Sequence, residues 1–224
     1  MAWLADARRA KGWTQEEAAA RLGISQTYWS FLENGRRQVP AHLLAKLRQH
    51  FDVPGAVAPL DEKAAPHSPD ALVAALAGLH YPGFTHVRRR AFVNPAVVLW
   101  GALRSADLET RLVEALPWVA WNYSDLDWDW LARRVKVDDL QNRLGFVVAL
   151  AKHVASSKGD HAAAARLTAV EACLERARLV REDTLGRERM TNAERRWLAS
   201  ARSALAAHWN VLSDLRPESL PYAA

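Results

Sequence analysis

The chain has 224 residues, with 30 Lys and Arg against 25 Asp and Glu and a formal net charge of +5. Half of its residues are hydrophobic, yet no run approaches the roughly eighteen apolar residues of a membrane span. Cys173 is the single cysteine, which excludes an intrachain disulfide framework. On its alanine-rich helix it is expected to be a buried, inert thiol. No signal peptide is visible, because the N-terminus reads directly as a helix, and the composition fits a soluble protein of the reducing cytoplasm.

Trp3, Leu4, Ala7 and Ala10 give an amphipathic first helix that Gly12 stops. Residues 14–35, TQEEAAARLGISQTYWSFLENG, then carry the densest signal. Thr14 is an N-cap with Glu17 three residues on, a capping box. The helix ends at Leu22, and Gly23 supplies the positive φ of a tight turn. Ile24 fills the angle between the helices and Ser25 caps the second one. Ala18 and Ala19 are small where the second helix must cross. Trp29 and Leu32 form its inward face, leaving Gln26, Thr27, Ser30 and Phe31, with Tyr28 beside them, pointing outward. Asn34-Gly35 closes it as an αL cap. A plain helical hairpin would share this order, but the flanks argue against it. After Val39-Pro40, the helix AHLLAKLRQHF puts Leu43, Leu44, Leu47 and Phe51 on one stripe, and Pro54-Gly55 ends the unit.

Four helices in about fifty residues suit a compact helical domain. The runs Ala7-Arg8-Arg9-Ala10-Lys11-Gly12, Thr14-Gln15-Glu16-Glu17, Leu22-Gly23-Ile24-Ser25-Gln26 and Glu33-Asn34-Gly35-Arg36-Arg37 resemble the DNA-binding domain of the phage repressor and Cro superfamily, the XRE family. The resemblance covers the first quarter of the chain. It implies that Gln15 reaches a backbone phosphate and that Gln26 can bind adenine bidentately. By the same resemblance Ser25, Thr27, Tyr28, Ser30 and Phe31 belong to the reading surface, and Arg36 and Arg37 grip phosphate. Phe31 departs from the family pattern, where a polar or basic residue is usual. It either meets a thymine methyl or packs inward or against a partner. Residues 1–53 hold eight Lys/Arg against five Asp/Glu, a net of +3. So modest a charge implies weak, salt-sensitive non-specific binding, and hence a homodimer on the two half-sites of a palindromic operator in double-stranded DNA.

Residues 56–69 read as a proline-rich linker between a domain over 1–55 and another over 70–224. Beyond it the segment SPDALVAALAGL reads as a helix and HYPGFTHVRRRAFVNP as irregular chain. Further helices follow in AVVLWGALRS, DLETRLVEALPWVAWNY, DLDWDWLARRVK, DDLQNRLGFVVALAKHVASS, DHAAAARLTAVEACLERARLV and TNAERRWLASARSALAAHWNVLS. Asp125, Asp138 and Thr191 lie near helix starts and are candidate caps. The expected fold is all-α: an N-terminal lambda-repressor-like unit of four or five helices plus a larger helical domain with no strands. Arg88-Arg89-Arg90 could touch phosphate, remain a solvated loop, or grip the acidic segment that follows.

Trp100, Trp118, Trp121, Trp128 and Trp130 are half of the chain's ten tryptophans. A bundle core explains most of them, but Trp128 and Trp130 sit about 200° apart on a helix. One of that pair should leave the core as a partner anchor. Residues 107–130 hold six Asp/Glu and one Arg, a net of −5, against +5 over 131–224. Trp118, Trp121, Asp125, Asp127, Trp128, Asp129 and Trp130 therefore form a candidate protein-binding face suited to a basic partner or to the chain's own basic half. Residues 115–151 and 182–215 resemble the C-terminal part of bacterial XRE-type regulators that serve as antitoxins of toxin–antitoxin pairs, some with nucleotidyltransferase-like toxins. That resemblance implies an autoregulating repressor that binds a protein toxin. The alternative is a stand-alone transcription factor with an effector cavity lined by Trp100, Trp118 and Trp121. The histidines show neither HExxH nor zinc spacing, and no P-loop, GxSxG or Rossmann fingerprint occurs. Asp125, Asp127 and Asp129 lack the glycine and terminal glutamate of a calcium loop. No enzyme activity, metal or cofactor is expected.

Overall fold

The computed structural model describes residues 2–37, 39–51, 53, 55–88 and 90–223. The chain divides into two compact units, residues 1–59 and 60–224. In the first, α1 (Ala2–Ala10), α2 (Gln15–Leu22), α3 (Gln26–Glu33) and α4 (Ala41–His50) are followed by a 3-10 turn at Gly55–Val57. Each helix contributes to one core: Leu4 from α1, Ala18, Ala19 and Leu22 from α2, Trp29 and Leu32 from α3, and Leu43, Leu44 and Leu47 from α4. Phe51 closes it, with its ring 6.0 Å from that of Trp29. Ala18 and Ala19 carry no more than a methyl group, which lets α3 cross α2 closely. Trp13 adds an edge-on contact to Phe51 at 5.4 Å, and the Arg21 guanidinium lies over its indole at 4.0 Å. Pro54 of the expected closing Pro-Gly pair lies outside the described residues.

The second unit is built around α9 (Gln141–Ser157). Thirteen of its seventeen residues are buried, the mark of a helix wrapped on all sides. Around it lie α5 (Pro69–Gly78), α6 (Pro95–Leu103), α7 (Thr110–Asn122), α8 (Trp128–Val137), α10 (His161–Glu175), α11 (Asn192–Ala201) and α12 (Ala204–His208). Gly145 permits a close approach to α9: a Cβ there would lie 2.3 Å from the Trp209 ring. Residues expected to be linker join this unit from Leu60 onward. Ala65 enters its core, and Glu62 forms an ion pair with Arg134 of α8.

The structure corrects several expectations. A two-residue parallel pairing of β1 (Asp183–Thr184) with β2 (Val211–Leu212) occurs where no strand was expected. The helix read over 191–213 breaks at Ser203, whose hydroxyl caps α12 by accepting from the Ala206 amide at 3.2 Å. Thr191 caps α11 in a full capping box with Glu194. Asp125 does not cap α8; Asp127, two residues on, accepts from the Trp130 amide at 2.8 Å. Asp138 is turned to the Trp100 indole, 2.7 Å away, instead of capping α9. Cys173 is exposed, because the residues of α10 that face inward are Ala163, Leu167 and Leu174.

Candidate nucleic-acid interface

The pair α2–α3 is fixed by local chemistry at each end. Thr14 Oγ1 accepts from the Glu17 amide at 3.1 Å while the Glu17 carboxylate accepts from the Thr14 amide at 2.7 Å. The Thr14 amide first, and then the Thr14 hydroxyl, which donates to the same carboxylate oxygen at 3.1 Å, hold the Glu17 carboxyl below its ordinary range. Gly23 adopts φ 69°, a left-handed geometry that costs glycine little. Lys46 of α4 donates to the Leu22 carbonyl at 3.0 Å, filling an acceptor left open at the end of α2. Ser25 Oγ accepts from the Tyr28 amide at 3.2 Å and starts α3. Gly35, at φ 71°, turns the chain away after Asn34.

The rotation of α3 follows from burying Trp29 and Leu32. Ser25, Gln26 and Thr27 are then exposed, as are Arg36 and Arg37 beyond the helix, while Gln15, Tyr28, Ser30 and Phe31 are half-buried. The Arg37 guanidinium lies 5.8 Å from the centroid of the Tyr28 ring. Phe31 thus shows only part of its ring to solvent.

One residue outside the expected reading set organises the surface. Glu33, the last residue of α3, is buried and takes Arg8 of α1 in a two-pronged ion pair at 3.0 and 2.9 Å. Its other oxygen accepts from the Trp29 indole at 3.1 Å and from the Gln15 amide group at 2.5 Å. Gln15 in turn accepts from Gln26 at 2.9 Å. A chain of hydrogen bonds therefore runs Arg8–Glu33–Gln15–Gln26, from the core of the unit to the exposed first turn of α3. The sequence held one signal for this: an acid four residues after a core tryptophan, within helical reach of its N–H.

In the second unit, the expected protein-binding tryptophans are engaged internally. Trp118 is buried, edge-on to Tyr81 at 5.2 Å and to Tyr123 at 6.2 Å. Trp121 donates to Asp160 at 3.1 Å and Trp128 to the Ser124 carbonyl at 2.8 Å. Asp160, bonded chiefly by the Ala163 amide and next by Trp121, titrates below the ordinary carboxylate range. Trp130 packs edge-on to Trp100 at 5.9 Å, so Trp128 and Trp130 are both half-buried against the core. Asp125, Asp127 and Asp129 are exposed. The exposed tryptophan of this unit is instead Trp197, which composition gave no reason to single out. Trp118, 7% exposed, presents little of its ring to any open cavity. Among the described residues no cluster of three His, Cys, Asp or Glu could hold a metal, and no helix is long and apolar enough to cross a membrane. Arg89, the middle of the triple-arginine run, lies outside the described residues.

Comparison with known proteins covers the first unit. Residues 2–60 match the family described as a helix-turn-helix domain. Over 57 residues the chain is 49% identical to a protein of Sinorhizobium fredii described as an uncharacterized HTH-type transcriptional regulator, a stretch equal to 25% of this chain and 74% of that relative. No solved structure matches the chain.

Proposed function

The chain belongs to the helix-turn-helix family of DNA-binding transcription regulators, and on that premise we propose that it is a sequence-specific repressor that reads the major groove with α3. One observation carries this reading. Gln26 is exposed at the start of a capped helix and is held in place by Gln15 at 2.9 Å. A glutamine so placed can present its amide to the N6 and N7 edge of adenine, worth about 1–3 kcal/mol of discrimination. Gln15, Ser25, Thr27, Tyr28, Ser30 and the exposed part of Phe31 complete the reading surface, with Arg36 and Arg37 on phosphate. Phosphate contacts set register and carry the salt dependence.

Gln26→Ala is expected to lower discrimination between operator and mismatched DNA by about tenfold or more. Arg36→Ala is expected to weaken all sequences equally and to reduce the salt slope by about one. Fluorescence anisotropy with both DNAs over a salt series separates the two effects. Two variants that bind like the parent protein would remove α3 from the groove.

The second unit extends the reading. We propose that the protein is the antitoxin of a toxin–antitoxin pair, acting in the cytoplasm as a homodimer on its own operator and holding a protein toxin through residues 60–224. The resemblance of residues 115–151 and 182–215 to such regulators supports it, and α7, α8 and α9 draw the first of those segments into one helical core. Co-expression with the product of the adjacent gene should yield a stable complex and relieve its toxicity. A regulator that ignores that product, and whose deletion is harmless, contradicts the antitoxin role and leaves the DNA-binding role intact.

A further inference from the structure

The large apolar side chains most exposed among the described residues are Val180 at 95%, Val137 at 77% and Trp197 at 56%. The first two lie towards the N-terminal end of α9, Val137 at the end of α8 and Val180 in the chain between α10 and β1. Val137 ends α8, five residues before Asn142. The Asn142 side chain brackets Val180: it donates to the Leu179 carbonyl at 2.9 Å and the Arg181 carbonyl at 3.3 Å, and accepts from the Leu179 amide at 2.8 Å. Glu182 then pairs with Arg195 at 2.7 Å, which brings α11 alongside. Trp197 sits on the flank of α11 away from Arg195, with exposed Arg196 between them. Exposed apolar side chains such as Val137 and Val180, both tied to the first turn of α9, mark an association surface.

The charge at this end is unbalanced. Its carboxylates are largely spoken for: Asp183 and Glu188 by Arg143, Glu182 by Arg195, and Glu194 by its capping box. Lys136, Arg181 and Arg196 are exposed without an ion pair among the described residues, set against exposed Asp139. The opposite charge stands at the other end of α8. Asp125, Asp127 and Asp129 are exposed there beside half-buried Trp128 and Trp130, and none of the three forms an ion pair among the described residues. A ten-residue helix spans about 15 Å, so the acidic turn and the basic, apolar end are that far apart along one element. Two copies of α8 laid antiparallel about a two-fold axis would place each acidic turn over the partner's basic end, making both contacts at once. Arg133, also exposed, would lie near the axis.

We propose that this surface is the dimer contact of the second unit: Asp125, Asp127 and Asp129 of one copy meet Lys136, Val137, Val180 and Arg181 of another, and reciprocally. The proposal rests on the dimeric reading above and supplies its interface. Charge reversal tests it without DNA. In sedimentation equilibrium of the full chain, Lys136→Glu/Arg181→Glu and Asp125→Lys/Asp129→Lys should each raise the dimer Kd by ~10-fold or more, with unchanged circular dichroism. An equimolar mixture of the two variants should recover the dimer, because each patch then again faces one of opposite net charge. Dimers that persist in both variants would refute this surface and leave the dimeric reading standing. A monomeric parent protein would refute both. Loss of the adjacent gene product from the Lys136→Glu/Arg181→Glu variant, with its dimer intact, would assign the surface to that protein and overturn the proposal.

Discussion

Arg143→Ala is expected to destabilise the second unit by about 3–5 kcal/mol, the usual result of removing one partner from a buried ion pair. Arg143 lies in α9 with its side chain 7% exposed. Its guanidinium meets both oxygens of Asp183 at 2.8–3.0 Å, Glu188 at 2.9 Å and the Leu103 carbonyl at 2.9 Å. Burial by itself would lower the Arg143 pKa, but the Asp183 and Glu188 carboxylates together outweigh it and hold the group above its ordinary value. Truncation leaves Asp183 of β1 without its counter-ion and frees the segment that β1 and β2 fasten to the bundle. Arg143→Lys should recover little, since an ammonium cannot reproduce the planar fork. Arg143→Met with Asp183→Leu should cost less than Arg143→Ala, because no buried charge is then orphaned. Urea unfolding followed by tryptophan fluorescence, which the second unit's many indoles dominate, measures all three. A parent-like midpoint for Arg143→Ala would contradict the assignment.

Glu33→Ala is expected to cost the first unit about 3 kcal/mol or more and to abolish operator binding at concentrations where the parent protein saturates it. Glu33 is the shared acceptor for Arg8, Trp29 and Gln15. Its loss strands the half-buried Arg8 guanidinium and the buried Trp29 N–H, and it releases Gln15, whose amide oxygen holds Gln26. Glu33→Gln keeps the volume and one carbonyl acceptor while removing the charge, so an intermediate loss is expected. Differential scanning calorimetry of the full chain and an operator titration of the same samples check both halves. Normal melting with lost binding would mean that Glu33 acts only on the groove surface. Normal melting with normal binding would exclude any organising role.

These two residues also show where sequence reasoning stops. The first unit was legible because its determinants are local: Thr14 with Glu17, Gly23, Ser25 and the Asn34-Gly35 stop all act within a few residues of themselves. The outward set on α3 followed from the spacing of Trp29 and Leu32. The task of Glu33 was hidden because Arg8 lies twenty-five residues away on another helix. The same limit explains Asp138, drawn off its expected cap by an indole thirty-eight residues earlier in the chain. Asp125 was the expected cap of α8, but Asp127 stands two residues on in the same alternating run, and where the helix starts is fixed by the packing of α8. Cys173 sits between Ala172 and Leu174 with Ala169 and Ala177 a turn away, so its apolar neighbours suggested burial although α10 faces inward with Ala163, Leu167 and Leu174. Two-residue strands leave no alternation to detect. The tryptophan cluster was correctly placed in a core, but the exposed indole lay elsewhere, on α11.

DNase I footprinting of the protein's own promoter tests the central claim, that α3 reads an operator as part of a dimer, most directly. The expected result is two protected half-sites with centres about 10 base pairs apart, or a multiple of that. Protection should disappear with Gln26→Ala at parent-protein concentrations and return for no other promoter. Uniform protection along the fragment, or a footprint unchanged by Gln26→Ala, would contradict it.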